Sequence, residues 1–191
     1  MNRALLRAGV AFLAALLAGG SLALMAEPAR ADSEGFAIGD SVMLGASWAL
    51  RKRGLEVDAE KSRQAGAAPG VIRRQGPGLS QAVVVHLGTN GVFPEETCDR
   101  LVERIGQERT LFLVTVKVPR SWERSNNRVI HACATRHNNV RIIDWNTAAT
   151  KNPGWLYDDG VHLRPSGARA FARMIAEAVS EVNAPATSRR S

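Results

Sequence analysis

Residues 36–46 read FAIGDSVMLGA, and how this stretch is read decides the fold. Phe36, Ala37 and Ile38 form a short apolar run suited to a buried strand. Gly39, Asp40 and Ser41 turn the chain, and Val42, Leu44, Trp48 and Leu50 follow at positions that suit a packed helix. A strand delivered straight into a helix leaves Ser41 at the junction, beside N–H groups that a helix start leaves without partners. Serine is also a common helix cap, so the stretch alone supports two readings. Nucleophilic chemistry needs a base close in space. The stretch YDDGVHLRPSGA, residues 157–168, supplies an acid and a histidine just before the last helix.

Working outward, LEVDA (residues 55–59) alternates like a strand, and SRQAGAAPGVIRR reads as a loop entering a short helix. AVVVHL (82–87) is the strongest strand, β-branched and apolar up to His86, and it ends in Gly88-Thr89-Asn90-Gly91. Phe93 and Pro94 open a helix whose Leu101, Val102 and Ile105 share a face. TLFLVTVKV (110–118) is a further buried strand closed by Pro119, and residues 122–137 carry a helical period through Val129, Ile130 and Cys133. VRIIDW (140–145) is the last strand. A loop rich in Asn, Pro, Gly and Asp leads to Pro165 and a helix with Ala168, Phe171, Ala172, Ile175 and Val179 inward; residues after Asn183 read as frayed. Apolar strands alternating with helices indicate a three-layer α/β domain whose sheet is covered on both faces and mostly parallel. Ligands of such sheets sit beyond the carboxyl ends of the strands. Gly39-Asp40-Ser41, Gly88-Thr89-Asn90 and the late Asp/His loop all fall there.

The 191 residues carry 25 Lys+Arg against 18 Asp+Glu and are 45% hydrophobic, ample for one core and short for two. Arg3 and Arg7 precede an apolar run from Ala8 to Ala26, and Ala29-Arg30-Ala31 ends it with a small-x-small pattern. Residues 1–31 therefore read as a signal peptide, with 32–191 as a single domain and no membrane span left after cleavage; a retained anchor is the competing reading. Without Arg3, Arg7, Arg30 and Glu27 the formal charge falls from +7 to +5. Its arginines are scattered rather than gathered in a dense tract and lack interleaved aromatics, which argues against nucleic acid as a partner. An exported chain can hold a disulfide, so Cys98 and Cys133 read either as a pair or as two buried thiols. They show no zinc-type spacing, and neither a metal nor another cofactor is expected.

Asp159 and His162 stand three residues apart, close enough for the carboxylate to hold one imidazole nitrogen while the other faces Ser41. The oxyanion formed when Ser41 attacks an ester needs donors in place. The Ser41 N–H, the Asn90 side-chain amide and an N–H of the second loop are the candidates. The order Ser, Asp, His is that of the α/β-hydrolases, but their G-x-S-x-G elbow is absent. Plainer roles fit the neighbouring residues. Asp40 caps the turn, Asp158 is a loop group, and His86 is a satisfied core histidine pointing away from the site. His131 and His137 lie on a helix surface, Asn126 and Asn127 either line the cleft or bond at a helix edge, and Trp122 and Trp155 pack or serve as sugar platforms.

GDSVMLG, HLGTNG and DGVH are similar to the first, third and fifth blocks of the SGNH (GDSL) hydrolase superfamily. VDAEKSRQ (57–64), and DWN followed by WLYDDGVHL, resemble the extracytoplasmic SGNH domain of bacterial peptidoglycan O-acetyltransferases. The resemblance implies a flavodoxin-like fold with a five-stranded sheet. It implies a Ser41–His162–Asp159 triad and an oxyanion hole from Ser41, Ser62 and Asn90. Ser62 stands where the superfamily commonly has glycine, and Gly66 is a rival for that donor. The implied activity is an exported, periplasmic or extracellular serine esterase acting on O-acyl, and foremost O-acetyl, groups of a cell-envelope glycan or small ester. Competing expectations are an O-acetyltransferase fed by a separate membrane acyltransferase, a lipase or lysophospholipase-like esterase, and a catalytically silent envelope-binding module.

Overall fold

The computed structural model describes residues 34–183. The expected signal peptide and its cleavage site, and the chain after Asn183, lie outside the described residues. Five strands, β1 (Gly35–Gly39), β2 (Leu55–Ala59), β3 (Ala82–His86), β4 (Thr110–Val114) and β5 (Val140–Ile143), form one sheet in the order β2-β1-β3-β4-β5. Every neighbouring pair is parallel. Six helices connect and follow them: α1 (Ser41–Arg51), α2 (Ala68–Gln75), α3 (Glu95–Ile105), α4 (Glu123–Arg136), α5 (Trp145–Lys151) and α6 (Pro165–Asn183).

Strand alternation sorts the core into two layers. Phe36, Ile38, Val83, Val85, Leu111 and Leu113 face α2, α3 and α4. Ala37, Ala82, Val84, Phe112 and Val114 face α1, α5 and α6. Both faces of the sheet are thus dry, as the continuous apolar strands require. The result is a three-layer α/β/α sandwich. Strand order reverses between β1 and β3, so the chain leaves these neighbouring strands toward opposite faces and opens a crevice at their carboxyl ends. That crevice receives Ser41 from β1 and Asn90 from β3.

Four expectations need correction. Val42 and Leu50 are buried on α1, but Leu44 is only partly so and Trp48 is 50% exposed. The helix packs instead through Met43, Ala46 and Ala49, and the small alanine side chains suit the close packing of α1 on α6. The fourth strand stops at Val114 rather than Val118. Beyond it, side chains take over the backbone bonds: Asn127 Oδ1 accepts from Val116 N at 2.8 Å and Glu123 Oε2 from Val118 N at 2.6 Å. The fifth strand stops at Ile143, because Asp144 caps α5 by accepting from Thr147 N at 3.1 Å. Trp145 opens that helix, within a stretch expected to be strand and then loop. Cys98 and Cys133 are joined in a disulfide tying α3 to α4, with Cα atoms 6.0 Å apart.

Candidate active site

At the end of β1 the chain turns without slack. A Cβ on Gly39 would lie 2.3 Å from Met43 Cβ, so only glycine lets α1 begin this close to the strand. Asp40, not Ser41, is the helix cap: its Oδ1 accepts from Val42 N at 3.0 Å. Ser41 is then the first residue of α1, its side chain free of capping duty. Its Oγ lies 3.1 Å from His162 Nε2.

His162 sits in a tight surface hairpin closed by a bridge between Leu156 and Leu163. Tyr157 N donates to His162 O at 2.8 Å, and Gly160 adopts a φ of +68°, a left-handed conformation that suits glycine at the tip. Within this hairpin Asp159 is fully engaged. Oδ1 accepts from Val161 N and from His162 N, each at 2.9 Å, and Oδ2 lies 2.6 Å from His162 Nδ1. Burial pulls the Asp159 carboxyl up, but the hydrogen bonds from His162 Nδ1 and the two amides outweigh it and bring it down to about 2. An ionised carboxylate on Nδ1 fixes the proton there and leaves Nε2 as an acceptor toward Ser41. Both side chains are half exposed, His162 at 49% and Asp159 at 48%. Asp158 turns outward and pairs with Arg164 at 2.9 Å, as a loop group should.

Asn90 follows β3 in a loop pinned from below. Asn126, fully buried on α4, accepts from Phe93 N at 2.8 Å and donates to Gly88 O and Gly91 O at 2.9 and 2.8 Å. Gln64 Nε2 donates to Asn90 O at 3.0 Å, which brings the second loop alongside. That loop is fixed at its start by Glu60 N donating to Gly39 O, and by buried Arg63, which binds Asp58 O and Oδ1, both at 2.6 Å. Between these anchors Ser62 has a φ of +58°, the one non-glycine residue in the left-handed region among the described residues. This conformation suits glycine, and serine adopts it at a cost in strain. Gly66 lies in a 3-10 turn (Ala65–Ala67) that leads into α2.

The sequence reading missed one contact. His86 was expected to point away, but strand alternation puts it on the α1 face, where Nδ1 approaches Asp40 Oδ1 at 3.6 Å. Its β1 register partner is Gly39, which has no side chain to fill that space. Nor is the ring satisfied: neither nitrogen has a hydrogen-bond partner. The remaining expectations stand closer to the structure. Asn126 and Asn127 bond to backbone, Trp155 stacks on Trp145 at 5.8 Å, His131 is exposed, and His137 faces Asp99 at 3.4 Å. Cys98, Asp99 and His137 bring ligand-type atoms within 4.8 Å of one another, but Cys98 Sγ is spent in the disulfide, leaving two. That is too few for a structural metal site.

No protein-family model matches the chain. The YrhL protein of Bacillus subtilis (strain 168) is 35% identical over 157 residues, which is 80% of this chain and 25% of YrhL. O-acetyltransferase OatA of Staphylococcus aureus (strain NCTC 8325 / PS 47) is 32% identical over 143 residues, 72% of this chain and 24% of OatA. The chain thus spans about a quarter of the length of the curated relatives it matches. Among solved structures, the C-terminal catalytic domain of Streptococcus pneumoniae peptidoglycan O-acetyltransferase A, carrying a methylsulfonyl adduct, superposes with a TM-score of 0.70. The two are 24% identical, over 79% of this chain and 95% of that domain. The sandwich and its crevice are those of the SGNH (GDSL) hydrolase superfamily, a catalytic fold in which Ser41 and His162 here lie side by side. Within it, the chain is related to the extracytoplasmic catalytic domain of the bacterial OatA peptidoglycan O-acetyltransferases.

Proposed function

We propose that the protein is an exported serine esterase that removes O-acyl groups, foremost O-acetyl, from a cell-envelope glycan by an acyl-enzyme mechanism. The observation that carries this reading is the continuous line from Ser41 Oγ through His162 to Asp159, at 3.1 and 2.6 Å. Ser41 Oγ attacks the ester carbonyl as its proton passes to His162 Nε2. Asp159 holds Nδ1–H and stabilises the imidazolium that results. The carbonyl oxygen becomes an oxyanion facing the Ser41 and Ser62 N–H groups and the Asn90 amide. Collapse breaks the bond to the sugar oxygen, which takes the proton from His162 Nε2 and leaves as the alcohol. Water then repeats the sequence on the acyl-enzyme, giving acetate and free Ser41. Residues 1–31 would direct export to a periplasmic or extracellular site, where the glycan is found.

Hydrolysis is favoured by the exposure of His162 and Asp159, which leaves water free to reach the acyl-enzyme. A second reading, acetyl transfer to glycan fed by a separate membrane acyltransferase, is favoured by the relation to OatA. One experiment separates them. The protein is given an activated acetyl ester together with a chitooligosaccharide or peptidoglycan fragment, and mass spectrometry follows acetate and acetylated glycan. Acetate is expected to dominate; acetylated glycan well in excess of acetate would establish transfer. Fastest turnover at octanoyl or longer esters would instead point to a lipase-like enzyme. No turnover of any activated ester would leave a silent binding module.

A further inference from the structure

Asp40 is fully buried, and so is the imidazole that faces it. A carboxylate removed from water is costly unless each of its oxygens is bonded. Thr89 Oγ1 donates to Asp40 Oδ2 at 2.5 Å, and Val42 N donates to Oδ1. Burial pushes the Asp40 carboxyl up, and His86, Thr89 and the Val42 amide outweigh it, so it lies below its ordinary value. Its position at the start of α1, in the positive end of the helix dipole, works in the same direction. Thr89 Oγ1 in turn accepts from Asn90 Nδ2 at 3.3 Å. The carboxylate therefore ties the turn that presents Ser41 to the loop that presents Asn90.

One approach to Asp40 is left, and His86 Nδ1 fills it at 3.6 Å, an ion-pair distance just beyond a hydrogen bond. The ring also meets Phe171 of α6 edge-on, with ring centroids 5.1 Å apart. We propose that His86 is a positioning residue, held as the Nδ1–H tautomer, whose approach to Asp40 locks the Asp40–Thr89–Asn90 chain and so sets the oxyanion donor relative to Ser41. This rests on the esterase reading, but two of its tests do not. With Nδ1–H toward the carboxylate, the ring sets a third positive N–H dipole against a group that has two hydrogen-bond donors, from a distance just beyond a hydrogen bond. With the opposite tautomer, two lone pairs would face each other in a fully buried site. His86 touches no substrate and acts only through Asp40.

The test uses the purified protein in four forms: wild type, His86→Leu, His86→Asn and Asp40→Asn/His86→Leu. An Asn amide can overlay the Nδ1 donor, whereas Leu leaves the Asp40 charge facing a hydrocarbon. Nitrogen-15 NMR of the histidine rings, with His86 assigned by its loss in His86→Leu, should show the proton on Nδ1 at neutral pH. Thermal unfolding should place the double variant above His86→Leu, because removing the charge relieves its unpaired burial. With an activated acetyl ester, His86→Leu should lower kcat by about 10²-fold, the scale of a 1 Å misplacement, with KM changed little. His86→Asn should recover most of that loss. A proton on Nε2, a double variant no more stable than His86→Leu, or equal kcat losses in the Leu and Asn variants would each overturn the proposal. A Ser41→Ala control that matched wild type would overturn the esterase reading and leave the NMR and unfolding results to judge His86.

Discussion

Two halves of the site are built in opposite ways. Ser41 and Asn90 stand on a buried foundation, in which Asp40, Thr89, His86 and Asn126 are all shielded from water, and Asp40, Thr89 and Asn126 are hydrogen-bonded across separate segments of the chain. His162 and Asp159 stand on a surface hairpin whose bonds join residues within a few positions of each other. The first half needs the whole sandwich to be folded; the second needs its own eight residues and the anchor at α6. There, Gly167 packs so tightly that a Cβ would lie 2.2 Å from Trp155 O. The contrast suits the proposed chemistry. Oxyanion donors act only if they are fixed before charge develops. A base that gives and takes a proton twice per turnover must meet both a leaving group and an incoming acceptor, so it belongs at the solvent edge.

The largest effect should come from joining the halves and then cutting them apart. Ser41→Ala and His162→Ala should each lower kcat on an activated acetyl ester by several orders of magnitude, and the double variant should be little worse than either, because such residues act as a unit. Circular dichroism and unfolding temperature should be nearly unchanged, since neither side chain supports the core. Additive losses would show that Ser41 and His162 do not work together.

Next comes the buried half alone. Asn90→Ala should cost about 2.7–4 kcal/mol of transition-state stabilisation, the scale of one lost oxyanion donor, and appear in kcat rather than KM. A rise in KM with kcat intact would make Asn90 a substrate-binding residue instead.

Stability should respond where the buried half is tied down. The disulfide from Cys98 to Cys133 closes a loop with a sequence separation of 35, and it braces α4, which carries Asn126. Replacing both cysteines with alanine should lower unfolding free energy by about 3–4 kcal/mol by the loop-closure argument. Urea unfolding measures this directly, and an unchanged midpoint would mean the bridge constrains nothing. The smallest effect is expected on the exposed hairpin: Asp158→Ala removes a surface pair with Arg164 and should leave the urea midpoint essentially unchanged and kcat within twofold of wild type.

The same division governed what could be read from the sequence. The parallel sheet was legible because fully buried strands are runs of β-branched and apolar residues, as in residues 82–85. The Asp159–His162 pair was legible because its bonds are local, and three residues of spacing suffice to place them. The buried half was harder, since its partners lie far apart in the chain: Asp40 meets Thr89 across 49 residues and Asn126 meets Phe93 across 33. A signal was nevertheless present. His86 continues the alternation of Ala82 and Val84, the residues that face α1 and α6, so its direction follows from the strand itself. Asn126 shares a helical stripe with Ile130 and Cys133, and a polar group on a buried stripe must find partners. Trp48 misled for a different reason. Periodicity marks stripes without saying which is inward, and alanines at 46 and 49 carried the packing that the larger side chains were expected to supply. Helix α5 went unread because two turns of Thr and Ala carry little period, although the cap at Asp144 was visible.

The central claim is that Ser41 is a nucleophile activated by His162, and covalent labelling tests it most directly. Purified protein is incubated with a fluorophosphonate or a sulfonyl fluoride, and intact-mass and peptide mass spectrometry locate the adduct. The account predicts one adduct, on Ser41, absent in Ser41→Ala and formed far more slowly in His162→Ala. An unlabelled protein, an adduct on another residue, or labelling of Ser41 that is indifferent to His162 would contradict it.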